Sequence, residues 1–224
     1  MPIKIPDALP ATAILESENI FVMTEYRALH QDIRPLKVLI LNLMPTKIVT
    51  ETQILRKLSN TPVQIQVELL RTASYQSQHT DEDHLASFYT TLTRLRDRNF
   101  DGMIITGAPV ENLEFNQVDY WPELCEIMAW SRTHVHSTHI CWGAGGAVLS
   151  SWHREALPAQ EALRCVRAPG AQAQFPPCFR GFDDVFCAPH SRYTEVWEKD
   201  IRAAPGLELL ATSSEAGVYA VKTE

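Results

Sequence analysis

Residues 37–59, KVLILNLMPTKIVTETQILRKLS, decide the fold. The run 37–43, KVLILNL, is apolar without alternation, as a strand covered on both faces requires. Pro45 breaks it, residues 50–59 set apolar side chains at helical spacing, and Asn60, Thr61 and Pro62 stop the helix. This is one complete βα unit.

The pattern repeats downstream. Residues 63–70 read as a second strand, followed by a Ser/Gln/His-rich loop at 72–80 and an amphipathic helix over 81–98 with acidic residues in its first turn. Residues 102–107, GMIITG, form a third strand ending in glycine, and 121–131 a further helix. Residues 134–140 are a fourth strand, and Cys141-Trp142-Gly143-Ala144-Gly145-Gly146-Ala147 follows it directly. The alternation predicts an α/β fold: an open, mostly parallel sheet with helices on both faces, right-handed crossovers, and ligands bound beyond the carboxyl ends of the strands.

The flanking regions are less regular. Residues 1–35 are mixed in character and are expected to be an N-terminal extension packed on the core, with 36–224 forming a single α/β domain. From about residue 149 to 179 neither period 2 nor period 3.6 is sustained, so no element is assigned there. Order returns at Arg180-Gly-Phe-Asp-Asp184, and residues 207–211 and 217–221 form a hairpin around Ser-Ser-Glu-Ala.

Bulk properties bound the function. A chain of 224 residues, 45% hydrophobic and 21% charged, is long enough for one sizeable core. Its net charge of −7 argues against a nucleic-acid or anionic-membrane binder, so an anionic substrate needs a local basic pocket. Five cysteines without a CxxC pair give no zinc pattern, and His79 and His84 fit no ligand spacing; no metal is expected. No apolar stretch approaches the roughly 20 residues of a membrane span, which predicts a cytoplasmic protein with reduced thiols.

Cys141 is the centre of the expected chemistry. A cysteine between a buried strand and a small-residue helix start sits on a tight turn above the sheet, where free helix N–H groups favour the thiolate. Gly143, Gly145 and Gly146 leave room for backbone to approach a substrate, as in a nucleophile elbow with an oxyanion hole. The ordinary alternative is a small buried hydrophobe.

The strand with Cys141-Trp142-Gly143-Ala144 resembles the homoserine O-acyltransferases of methionine biosynthesis. So do Leu41-Asn-Leu-Met-Pro-Thr-Lys47 with Thr50-Glu-Thr-Gln53, Asp101-Gly-Met-Ile-Ile-Thr-Gly-Ala-Pro109, and Arg180-Gly-Phe-Asp-Asp184 with Ala188-Pro-His-Ser-Arg-Tyr193. The resemblance implies a class I glutamine amidotransferase-like (flavodoxin-like) fold, and an acyl group carried from coenzyme A on Cys141 to the γ-hydroxyl of L-homoserine. Lys47 matches a lysine near the active site that stabilises an oxyanion or meets a phosphate. Ser191 matches a substrate-contacting serine, and Arg192 is placed to pair with the amino acid's carboxylate. Glu111 matches the glutamate of acetyl users where succinyl users have glycine; a carboxylate there repels and displaces succinyl but not acetyl. Acetyl-CoA is then a co-substrate, no cofactor is needed, and a homodimer is compatible with the resemblance.

The chain also departs from that pattern. The resembling proteins draw their base from a Gly-His-Pro-Glu type turn beyond the hairpin, and the sequence ends at Glu224 ahead of it, so an incomplete C-terminal part is expected. A lysine of the pattern is missing from residues 159–163, and the composition of 149–179 suggests frameshifted or locally divergent coding, which resequencing tests. His190 and then His139 are the internal substitutes for the base. The competing readings are a homoserine O-succinyltransferase, a glutamine-amidotransferase-like hydrolase that lacks the Leu-Asn-Leu-Met-Pro segment, and a catalytically impaired remnant.

Overall fold

A computed structural model describes residues 3–20, 22–25, 34–74, 81–110, 113, 117–141, 162–167, 179, 181–183, 185–190, 196–215 and 217–223. The chain forms two compact units, Met1–Ala144 and Gly145–Glu224.

In the first unit the elements run β1 (Ile3–Ile5), α1 (Ala11–Ser17), β2 (Val22–Thr24), β3 (Leu36–Leu41), α2 (Lys47–Leu58), β4 (Ile65–Leu70), α3 (Glu82–Phe88), β5 (Tyr89–Thr90), β6 (Phe100–Ile105), α4 (Trp121–His134) and β7 (Val135–Ile140). The strands form one parallel sheet in the order β2-β1-β4-β3-β6-β7, with β5 paired to β4. β3 shows why its sequence is apolar throughout. Val38 and Ile40 join Leu15, Leu55 and Val67 on one face, while Leu39 and Leu41 join Met103, Leu124 and Ile127 on the other. Period-two alternation thus sends successive side chains into two cores, each roofed by helix, and the α/β sheet with helices on both faces is the fold expected.

The chain adds β4 on one side of β3 and later β6 and β7 on the other. Strand order therefore reverses between β3 and β6, and in open α/β sheets ligands bind beyond the carboxyl ends of the strands at such a switch point.

Two sequence expectations need correction. Residues 1–35 are not merely an irregular extension: β1 pairs Ile3 with Val22 and Ile65, and β2 extends the sheet further. Ile3 and Ile5 are both fully buried, but a three-residue strand is too short to display a period. Nor does a helix run over 81–98. Asp81 caps α3 by accepting the Asp83 N–H at 3.0 Å, but the helix stops at Phe88 and Tyr89–Thr90 pairs with Leu69 and Leu70. Threonines 90, 91 and 93 favour extended backbone, and the buried Tyr89 hydroxyl is bonded to α2, so tertiary contact overrides the helical pattern. A short 3₁₀ turn at Leu92–Arg94 follows.

The second unit contains β8 (Ala162–Arg167), β9 (Val185–His190), α5 (Glu198–Ala203), β10 (Leu207–Ser213) and β11 (Gly217–Thr223), with an antiparallel sheet in the order β11-β10-β8-β9. The expected terminal hairpin is β10–β11, closed by Ser213 opposite Gly217, which takes a φ of 67° that favours glycine. β8 lies inside the stretch to which sequence patterning assigns no element, and gains its strand character by pairing with β9 from Ala162↔His190 to Arg167↔Val185. Phe179, Ala188, Leu210 and Ala211 form this unit's core. Among the described residues, no helix is long and apolar enough to cross a membrane.

Candidate active site

Leu41, Ile105 and Ile140 stand in register across β3, β6 and β7, so the segments that follow them leave the sheet at one edge. Two strand spacings, about 10 Å, separate the ends of β3 and β7. Cys141 comes immediately after β7 and its N–H donates to Ile105 O at 2.9 Å, extending the ladder to the cysteine itself. The residue is exposed, and a Cβ added to Gly107 would lie 3.5 Å from its Sγ. Gly107 thus sets no side chain against the sulfur. The thiol is free, as are those of Cys125 and Cys187.

Thr106 and Asn42 fix the loop that follows β3. Thr106 N–H donates to Leu41 O at 3.0 Å, and its hydroxyl accepts the Leu43 N–H at 2.8 Å, tying the loop after β3 to the end of β6. Asn42, 1% exposed, accepts the Met44 N–H on Oδ1 at 3.2 Å and donates from Nδ2 to Lys47 O at 3.3 Å and to the Tyr89 hydroxyl at 3.0 Å. An asparagine with both ends engaged holds residues 42–47 in one shape.

Lys47 opens α2 and is only 7% exposed. Its Nζ donates to Asn42 O at 2.6 Å and Met44 O at 3.4 Å and lies 5.7 Å from the centre of the Tyr89 ring. Burial pulls its pKa down to about 8; the Glu51 carboxylate opposes that fall and Arg71 adds to it. The ammonium is therefore mostly charged at neutral pH, yet close to losing its proton.

Glu51, one helical turn after Lys47, is fully buried. Its Oε1 accepts a hydrogen bond from the Tyr89 hydroxyl and stands 3.2 Å from His84 Nε2. Burial, then the adjacent Glu51 carboxylate, push the Tyr89 phenol well above its usual range, so it stays a donor to Glu51. Sequence reasoning gave no role in the site to Asn42, Glu51, His84 or Tyr89, although Asn42 and Glu51 lie in the segments that carry the resemblance. The i, i+4 spacing of Lys47 and Glu51 on one helix face was a further signal.

The neighbouring loop after β4 is held by Glu123 in the first turn of α4. Its carboxylate accepts the Ala73 and Ser74 N–H groups, each at 2.8 Å, and the Ser74 hydroxyl at 2.6 Å. Burial opposes ionisation of Glu123, but these hydrogen bonds and Arg71 together hold its pKa below the usual carboxylate value. Arg71 thus acts on both Lys47 and Glu123, so two cations and the carboxylates of Glu51 and Glu123 share this edge of the sheet.

Of the site residues expected from sequence, Cys141 and Lys47 are described, and both follow carboxyl ends of the parallel sheet. Glu111, Ser191, Arg192 and the glycines at 143, 145 and 146 lie outside the described residues. His139 is on β7, opposite Ile104 and exposed. His190 ends β9 in the second unit. Among the described residues no group of His, Cys, Asp and Glu has the makings of a metal site.

Comparison with known proteins matches residues 2–224 to the family described as homoserine O-succinyltransferase. Curated relatives include a homoserine O-acetyltransferase of Acetivibrio thermocellus, 52% identical over 224 residues, covering 100% of this chain and 73% of that protein. One of Thermotoga petrophila is 54% identical over 222 residues, covering 99% and 73%. One of Methanomassiliicoccus intestinalis is 54% identical over 218 residues, covering 97% and 71%.

Proposed function

The chain belongs to the homoserine O-succinyltransferase family of acyltransferases, and on that footing we propose that it transfers an acetyl group from acetyl-CoA to L-homoserine through a thioester on Cys141. The observation that carries the mechanism is the position of Cys141, an exposed thiol immediately after the carboxyl end of β7 with its sulfur beside Gly107. In the first half-reaction the Cys141 thiolate adds to the thioester carbonyl carbon of acetyl-CoA. The bond to the coenzyme A sulfur breaks, and that sulfur takes up the proton the Cys141 thiol gave up on forming the thiolate, so coenzyme A leaves as a thiol. The γ-hydroxyl of L-homoserine then adds to the carbonyl on Cys141, the C–S bond breaks, and the hydroxyl's proton ends on the cysteine sulfur as O-acetyl-L-homoserine departs. Exchange between two thioesters is nearly balanced, so the acyl group waits on the enzyme while one substrate replaces the other, giving ping-pong kinetics.

Lys47 supplies the positive charge. Among the described residues its ammonium gives two N–H groups, to Asn42 O and Met44 O, and the third is suited to an oxyanion or to a phosphate of coenzyme A. The acetyl choice draws on the names of the relatives and on Glu111 as a carboxylate that excludes succinyl. Ser191 and Arg192 complete the reading as homoserine contacts. It is the reading of a cytoplasmic enzyme of methionine biosynthesis that needs no cofactor beyond its co-substrate.

Intact-protein mass spectrometry after exposure to acetyl-CoA tests it. An acetyl adduct is expected on the protein and not on Cys141→Ser, and the adduct should disappear when homoserine is added. Faster labelling by succinyl-CoA would overturn the donor assignment, and an adduct that persists on Cys141→Ser would overturn the nucleophile.

A further inference from the structure

Lys47 owes its place to a relay of buried polar groups. Both hydrogen bonds of its ammonium go to backbone carbonyls of the loop after β3, at Asn42 and Met44. That loop is held by the Asn42 side chain, through Met44 N–H on one end and Lys47 O on the other. The orientation of the Asn42 amide is set in turn by Tyr89, whose hydroxyl receives Nδ2 at 3.0 Å. Tyr89 is itself fixed by donating to Glu51 Oε1, which also faces His84 Nε2. Three elements thus converge: α2 carries Lys47 and Glu51, α3 carries His84, and β5 carries Tyr89.

Stability alone does not explain Glu51. A fully buried carboxylate costs several kcal/mol to desolvate unless its oxygens are well satisfied. Among the described residues Oε2 has no hydrogen-bond partner. An apolar residue of similar size would pack there without that cost, whereas a carboxylate one helical turn from Lys47 also acts on the ammonium by charge.

We infer that Glu51 is a positioning residue for the acyl-transfer reaction, holding Lys47 in place through Tyr89 and Asn42 and keeping it protonated by its negative charge. The inference rests on the reading that the Lys47 ammonium serves catalysis. The charged and titratable groups around Lys47 are Glu51 on its own helix, Arg71 after β4 and Tyr89 on β5, with His84 of α3 facing Glu51. Of these, only the Glu51 carboxylate favours the charged lysine; burial and Arg71 work against it. Removing that charge lowers the pH at which Lys47 deprotonates, and activity that requires the ammonium falls at a lower pH.

The test is Glu51→Gln in the full chain, read by competitive labelling of Lys47 with acetic anhydride across pH, with the modified residue quantified by mass spectrometry. The midpoint, expected near pH 8 in the wild type, should move down by about one pH unit, and the alkaline limb of kcat/KM should move with it. An unchanged midpoint overturns the inference, because a glutamate with a purely structural role alters stability and not the titration of Lys47. Tyr89→Phe keeps the Glu51 charge but cuts the link to Asn42, so kcat should fall about 10-fold with the midpoint nearly unmoved; unchanged kcat also overturns the relay. Lys47→Met separates the two ideas. If it retains full activity, the catalytic reading of Lys47 fails, while the labelling midpoint still decides whether Glu51 governs that lysine.

Discussion

Lys47 shows how one side chain can be unfavourable to the fold and useful to the site. Its folded pKa of about 8 lies below the ordinary 10.5, so between those values the unfolded chain binds the proton and the folded chain does not. The contribution of this group to stability therefore rises as pH climbs from about 8 to 10.5, and below pH 8 the folded state bears the whole cost of a desolvated ammonium. Lys47→Met should show the mirror image. Relative to wild type, the variant's stability is highest below pH 8 and declines by about 3 kcal/mol toward pH 10.5, while the unpaired Asn42 carbonyl it leaves behind weighs equally at every pH. Urea denaturation of both proteins at pH 7 and pH 10 measures this; a difference that does not change with pH would show that Lys47 titrates normally. Lys47 itself was legible through its Leu-Asn-Leu-Met-Pro-Thr context, whereas the partners that fix it were not.

Among the elements, α4 does more than cover one face of the sheet. Glu123 in its first turn replaces the hydrogen bonds that Ala73 and Ser74 would otherwise make with water, holding the loop after β4 beside Arg71. Its carboxyl pKa is held below 4.5, so this support is fully present above that value and is lost as pH falls through the folded value. Glu123→Ala should therefore cost about 1 kcal/mol at pH 7, and the gap to wild type should close on acidification. Thermal melts of the two proteins at pH 7 and below pH 4 check both statements. The helix was expected over 121–131 and runs three residues further, to His134. The end of α3 was not, since residues 89–98 carry a helical pattern and only the pairing of Tyr89–Thr90 with β4 draws them into strand and turn.

For the molecule as a whole, the parallel sheet of Met1–Ala144 sets a gradient of stability from centre to edge. β3 has a strand on either side and packed side chains on both faces, whereas β2 is a three-residue edge strand. Amide hydrogen exchange should be slowest in β3 and β6, opening only with global unfolding, and faster by orders of magnitude in β2. Protection of β2 equal to that of β3 would contradict this, and mass spectrometry of peptides spanning residues 36–41 and 22–24 gives the comparison. The parallel α/β sheet and the resemblance to the family were legible in the sequence, because buried strands and amphipathic helices write their burial into local periodicity and Cys141 sits at a recognisable strand end; the order of the strands in the sheet was not. Tertiary structure alone decided that residues 1–35 add strands to the sheet and that Glu51, Tyr89 and Asn42 meet around Lys47. The physical reason is range: a three-residue strand has no measurable period, and hydrogen bonds joining residues 38 and 47 positions apart leave no pattern along the chain.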